Sequence, residues 1–335
     1  MTVDQKLKAI RDVIQNDIGE RGLKKVAGDN LITATFYDFV EACKSFAGVK
    51  RPSVCIVTGF LIPTADPPRG ETDGPLGTLF LARALTALGM RVVLATDDFC
   101  VPALRAGLAD CGLSKNVELL ELPREDDLDY VEDFKARAGL LTHLIALERV
   151  GPSHTVESIG HQMEGTSFTK DRFREAVPPA HHDRCHTMRG RDITELMAPA
   201  HRLFQKEPIQ VAEISIGIGD GGNEIGMGKI AWDTIRKNIN EGAMIACRVP
   251  TDYLVVAGIS NWGAYALAAG IALVRGQTLD ATLFDTAKER QLLQLMVEKG
   301  PLVDGKTSEA TATVDGVAFE EYIRPLERIK EIVAQ

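Results

Sequence analysis

The sequence predicts a doubly wound α/β fold, a mostly parallel sheet with helices on both faces. Short β-branched runs recur along the chain, helical stretches separate several of them, and a Gly- or Asp-rich turn follows each run. The length of 335 residues and a hydrophobic content of 45% suffice for a large core, read here as one α/β domain over 1–335.

The elements follow in order. Leu7, Ile10, Val13, Ile14 and Ile18 lie at helical spacing and predict an amphipathic helix over 4–18. A second helix is expected over 35–47, so that 1–47 forms an N-terminal helical segment. Strands are expected at Ser53 to Thr58, Arg91 to Thr96, Leu141 to Leu147, Val211 to Ile216 and Leu254 to Ile259. Ala243 to Val249 offers a further strand. Helices are expected from Leu76 to Leu88 and from Ala264 to Val274. Residues 151–192 break the rhythm: they carry histidines, glycines and prolines with weak periodicity, and read as a loop-rich insertion.

Composition narrows the function. The formal net charge of −9 argues against a nucleic-acid partner. The longest apolar stretch, Trp262 to Val274, is too short to span a bilayer. Six cysteines without a Cys-x-x-Cys pair read as free thiols in a reducing compartment. The acidic N-terminus fits neither a secretory nor an organellar leader. The expected location is therefore cytoplasmic, with no membrane partner, and a homo-oligomer is left open.

In open parallel sheets, ligands bind beyond the carboxyl ends of the strands. The turns there are polar: Thr58-Gly59 with Glu71-Thr72-Asp73-Gly74-Pro75, Thr96-Asp97-Asp98, Glu148-Arg149, the run from Gly217 to Lys229, and Ser260-Asn261-Trp262-Gly263. Thr72 or Asp73 can cap the helix that follows, and Pro75 suits its first turn. Gly217 to Gly222 satisfies G-x-G-x-x-G, but Asp220 would meet a pyrophosphate with like charge. Asp220, Asn223 and Glu224 form instead an oxygen-rich group suited to Mg²⁺ or Mn²⁺, or serve only to cap and decorate a helix. Lys229 could hold a carboxylate. Ser260, Asn261 and Trp262 suit the orientation of a small polar ligand, or equally a cap with a core tryptophan. His181, His182, Cys185 and His186 would suit zinc, but lie away from the strand-end turns. Neither a Gly-x-Ser-x-Gly elbow nor a Walker loop is present.

Taken together, these turns resemble the D-glutamate cyclase family, and more narrowly its C-terminal domain. The resemblance rests on Gly-Asp-Gly-Gly-Asn-Glu, on Ser-Asn-Trp-Gly-Ala-Tyr-Ala-Leu and on the Thr58, Glu71 to Pro75 and Glu148 turns, over about residues 50–275. It implies cyclisation of D-glutamate to 5-oxo-D-proline with loss of water, hence a hydro-lyase. Animal members carry an additional N-terminal region, and their stretch corresponding to 151–192 looks shorter. With that reaction in view, the expected catalytic residues are Asp73, Asp220 and Glu224. A divalent cation, Mg²⁺ or Mn²⁺, would draw its ligands from Glu71, Asp73, Asp220 and Glu224. Thr58, Gly59, Gly74, Gly219, Gly221, Asn223, Lys229, Ser260, Asn261 and Trp262 would bind an acidic amino acid. A non-catalytic acidic amino-acid binding module and a nucleotide-binding enzyme using Gly217 to Gly222 remain open.

Overall fold

A computed structural model describes residues 1–162 and 166–335. Six parallel strands form the central sheet: β1 (Ser53–Thr58), β4 (Arg91–Thr96), β5 (Val117–Glu121), β6 (Leu141–Leu147), β7 (Ala212–Gly219) and β8 (Tyr253–Val256). A small antiparallel pair, β2 (Leu61–Ile62) and β3 (Arg69–Gly70), stands apart. The order across the large sheet is β5-β4-β1-β6-β7-β8. The chain winds outward from β1 to β5, then returns to β6 on the other side of β1. That reversal makes a crevice between the carboxyl ends of β1 and β6.

Alternation along β1 explains the layering. Val54 and Ile56 enter one core with the helices Pro75–Ala87, Ser260–Val274 and Val3–Ile14. Cys55 and Val57 enter the other, with Tyr130–Ala138 and Trp232–Asn238. Both faces are covered, as parallel sheets require.

Three expectations need correction. The edge strand β5 was not foreseen, because its alternating exposure leaves only Val117 and Leu120 fully buried. Ala243 to Val249 is not a strand: Gly242–Ile245 is a helical turn, and irregular backbone bridges Cys247 to Ser153. Nor is 151–192 all loop, since it holds the helices Val156–His161 and Ser167–Ala176. Each buries one large apolar residue, Ile159 or Phe173, too few for a periodic signal. Residues 163–165 of that expected insertion lie outside the described residues. The N-terminal segment carries the helices Val3–Ile14, Leu31–Ala34 and Asp38–Lys44. All six cysteines are free. Among the described residues, no helix is long and apolar enough to cross a membrane.

Across the crevice, a fully buried ion pair joins the turn after β4 to the turn after β6. Arg149 meets both oxygens of Asp97, and also donates to the carbonyls of Gly59 (3.1 Å) and Ala198 (2.7 Å). Asp97 accepts in addition from the Ala198 amide at 2.6 Å. Removing one partner strands a buried charge. Arg149→Met is expected to lower the unfolding free energy by about 3–5 kcal/mol, measured by urea denaturation.

Candidate active site

The site is built on two helix N-termini that cap each other. Gly74 begins the helix Pro75–Ala87 at φ +92°, a conformation open to glycine, and offers no side chain to cap it. The cap comes from across the site. Asn261 Oδ1 accepts from the amides of Gly74 (2.9 Å) and Gly77 (2.7 Å). Asp73 returns the interaction, accepting from the amides of Ser260 (2.9 Å) and Asn261 (2.8 Å) in the first turn of Ser260–Val274. Asp73 thus caps the distant helix, and also accepts from the Gly74 amide (3.0 Å) at the start of the one that follows it.

Around this cross-cap lie the turns after β1, β6 and β7. Asp73, Glu148 and Asp220 each bring a carboxylate oxygen within 4.8 Å of the others. Glu148, at φ +45°, accepts from the Ser260 hydroxyl through Oε2 at 2.6 Å. Asp220 Oδ1 is bonded by Arg21, while its buried Oδ2 has no hydrogen-bond partner. Oxygen-only donors with one oxygen unsatisfied suit a hard divalent cation, so Asp73, Glu148 and Asp220 could hold Mg²⁺ or Mn²⁺.

Glu71 stands beside this group on the rim of a cavity of ≈ 290 Å³. Its amide bonds to Phe60 O at 3.0 Å. Among the described residues, its carboxylate forms neither a hydrogen bond nor an ion pair. Gly305 closes over it, where a Cβ would stand 2.1 Å from Oε2. Glu148, Asp315 and Arg21 share the cavity wall. Arg189, Arg191 and Lys306 line the same cavity.

Carboxylates outnumber the cations buried among them. Burial, followed by mutual repulsion, holds Glu71 and Glu148 well above the usual carboxylate range. Burial likewise raises Asp220 against the opposing pull of Arg21, and raises Asp315. Asp73 is pushed up to about 7, burial and Asp315 outweighing the bonds from Asn261 and Ser260. Burial works against the Arg21 charge, but Asp220 and Asp315 outweigh it and its pKa rises.

A family model described as D-glutamate cyclase-like, C-terminal, matches residues 10–170 and 173–330. The chain belongs to that D-glutamate cyclase-like family. It is 28% identical over 283 residues to the Homo sapiens protein named D-glutamate cyclase, mitochondrial. The alignment covers 82% of this chain and 40% of that protein, so the chain spans less than half the length of its relative.

Within this family member, the glycine-rich run has a definite internal role. Glu224 accepts from the amides of Asp220 (2.8 Å) and Gly221 (2.5 Å) through Oε1, and of Gly222 (2.7 Å) through Oε2. An internal carboxylate thus occupies the donors a phosphate would need. Gly219 and Gly221 make room for it: a Cβ at either would press on the Glu224 side chain. Asn223 donates to His186 O at 2.8 Å, and its buried Oδ1 has no partner.

The remaining expected residues divide. Thr58 lies under Gly74 with a buried, unpartnered Oγ1, and Gly59 receives Arg149. Ser260 and Asn261 are in the cross-cap. Trp262 is a core residue, its Nε1 donating to Tyr322 O at 2.9 Å. Lys229 is drawn away from the cluster to Asp38 (2.5 Å) and Asp252 O (2.7 Å).

Several residues outside the expected set reach the site. Glu148 could have been found by the strand-end rule that selected its neighbours. Arg21 had no local signal; Asp17 folds its loop by accepting the amides of Arg21, Gly22 and Leu23, each at 2.9 Å. Asp315 arrives from the C-terminal region, ion-paired with Arg21 at 2.7 Å.

Two outcomes follow. Glu224→Gln keeps one acceptor but sets an NH₂ group against amide donors, and should cost about 1–3 kcal/mol of unfolding free energy, read by urea denaturation. Asp73 is raised from 3.8 to about 7 on folding, so the native state holds its proton longer than the unfolded chain. Its contribution to stability is present below 3.8 and is lost as pH rises through about 7. The unfolding free energy of Asp73→Asn should therefore decline less steeply across that window than that of the unmodified chain.

Proposed function

We propose that this protein cyclises D-glutamate to 5-oxo-D-proline with loss of water. One observation carries the reading: a single cavity is lined both by buried carboxyls of raised pKa and by cationic side chains. An acidic amino acid brings the complementary charges, one ammonium and two carboxylates. The family membership supports this choice of reaction.

Cyclisation forms a bond from the α-nitrogen to the γ-carboxyl carbon and breaks a carbon–oxygen bond there. Two protons leave the ammonium, and both finish on the departing oxygen as water. The protein must therefore move protons over a short path with no net change of its own.

Glu71 suits that task. It faces the cavity, its carboxylate is uncommitted to the protein, and burial keeps its proton at a pH where free carboxyls have lost theirs. As a carboxylate it takes a proton from the ammonium; as an acid it delivers one to the leaving oxygen. Asp73, Glu148 and Asp220 attract the ammonium, or would hold a divalent cation. Such a cation, when bound, supplies Lewis-acid polarisation of the carboxyl to be attacked. Ser260 holds Glu148 in place and Arg21 holds Asp220. The 290 Å³ cavity keeps the reacting groups close together, which lowers the entropic cost of ring closure.

The test is chiral detection of 5-oxoproline from D- and L-glutamate, with and without EDTA. The expected outcome is product from D-glutamate. Glu71→Gln should lower kcat by roughly 10²–10⁴-fold with an unchanged melting temperature. Full activity in Glu71→Gln removes the proton role from Glu71, and full activity in EDTA removes the divalent cation. Tight binding of D-glutamate without product leaves a binding module instead.

A further inference from the structure

We infer that Arg189, Arg191 and Lys306 read the carboxylates of the ligand and set its selectivity for dicarboxylic over monocarboxylic amino acids. This deepens the reading above and rests on it.

The three cations come from two distant stretches, the 151–192 segment and the loop after β-bridged Val303, yet they line one cavity. Among the described residues, none of the three forms an ion pair. Arg184, in the same segment as the two arginines, contrasts with them: it is paired with Asp192 (2.7 Å) and Glu195 (3.2 Å). Acidic partners were thus within reach of this segment, and Arg189 and Arg191 were left without one.

They are also held in place. Arg189 Nη2 donates to Lys306 O and Arg191 Nη1 donates to Pro63 O, each at 2.9 Å. One nitrogen of each guanidinium is tethered to backbone, and the remaining donors are left for a ligand. Such a fork matches a carboxylate in two-point contact. Lys306 sits on a loop ordered by Asp304, which accepts the amides of Lys306 (3.0 Å) and Thr307 (2.9 Å) through Oδ1 and that of Gly316 (2.7 Å) through Oδ2. A tethered cation loses less freedom on binding than a loose one.

The cavity thus carries both signs of charge: Glu71, Glu148 and Asp315 line it together with the three cations. An amino acid with its ammonium toward the carboxyls turns its carboxylates to the cations. A side chain without a charge leaves some of those cations unanswered. Arg189 and Arg191 thus make their stretch of the chain a selectivity element.

The experiment compares equilibrium binding of D-glutamate and D-2-aminobutyrate, by calorimetry, to the unmodified protein, Arg189→Gln, Arg191→Gln and Lys306→Met. D-2-aminobutyrate has a neutral side chain and cannot cyclise. The unmodified protein should prefer D-glutamate. Arg189→Gln and Arg191→Gln should each weaken D-glutamate by about 10- to 100-fold and D-2-aminobutyrate by much less, with melting temperatures unchanged. Equal loss for both ligands, or no loss for D-glutamate in any variant, overturns the inference. Selective binding of D-glutamate that is lost in the variants, without 5-oxoproline formation, supports this inference and removes the cyclisation reading alone.

Discussion

The exchange of caps between Asp73 and Asn261 is the constraint on which the site depends. Each helix start has amide donors without partners inside its own helix. Here each receives its acceptor from the other: Asn261 serves Gly74 and Gly77, and Asp73 serves Ser260 and Asn261. Neither turn can shift without breaking the other's bonds. The pair therefore fixes the distance between two sheet-edge turns, and with it the position of Ser260 against Glu148.

That rigidity makes the charge arrangement tolerable. Glu71, Asp73, Glu148, Asp220 and Asp315 are all buried, with Arg21 as the cation between Asp220 and Asp315. Loose side chains would move apart or draw in water. Held in place, they have raised proton affinities instead, and a cavity lined by such groups can pass a proton to and from a ligand. The glycine-rich run serves the same end. It folds around Glu224, whose carboxylate takes three successive amides, and it thereby presents Asp220 to the cluster.

Much of the fold was legible because parallel strands buried on both faces are continuous apolar runs. The bounds of β1, β4 and β6 coincide with the expected ones. The edge strand β5 was hidden by its exposed Glu118 and Glu121, and the helices of 151–192 by having one large buried apolar residue each. For the site, the strand-end rule brought together Glu71, Asp73, Asp220, Ser260 and Asn261. It did not separate the carboxylate facing the cavity, Glu71, from the one spent on its own loop, Glu224. Both follow strands and both are acidic; only the positions of the amides around them distinguish the two.

The sequence by itself determined the alternation of strands and helices, the edge at which polar turns collect and the family to which the chain belongs. These are properties of local periodicity and contiguous motifs. The tertiary structure decided which charges meet. Arg21 and Asp220 lie 199 residues apart, and Asp73 and Asn261 are separated by 188. Lys229, only nine residues from Asp220, is pulled to Asp38 and away from the site. A buried charge is governed by the nearest opposite charge or hydrogen-bond donor in space, and chain order carries no measure of that distance.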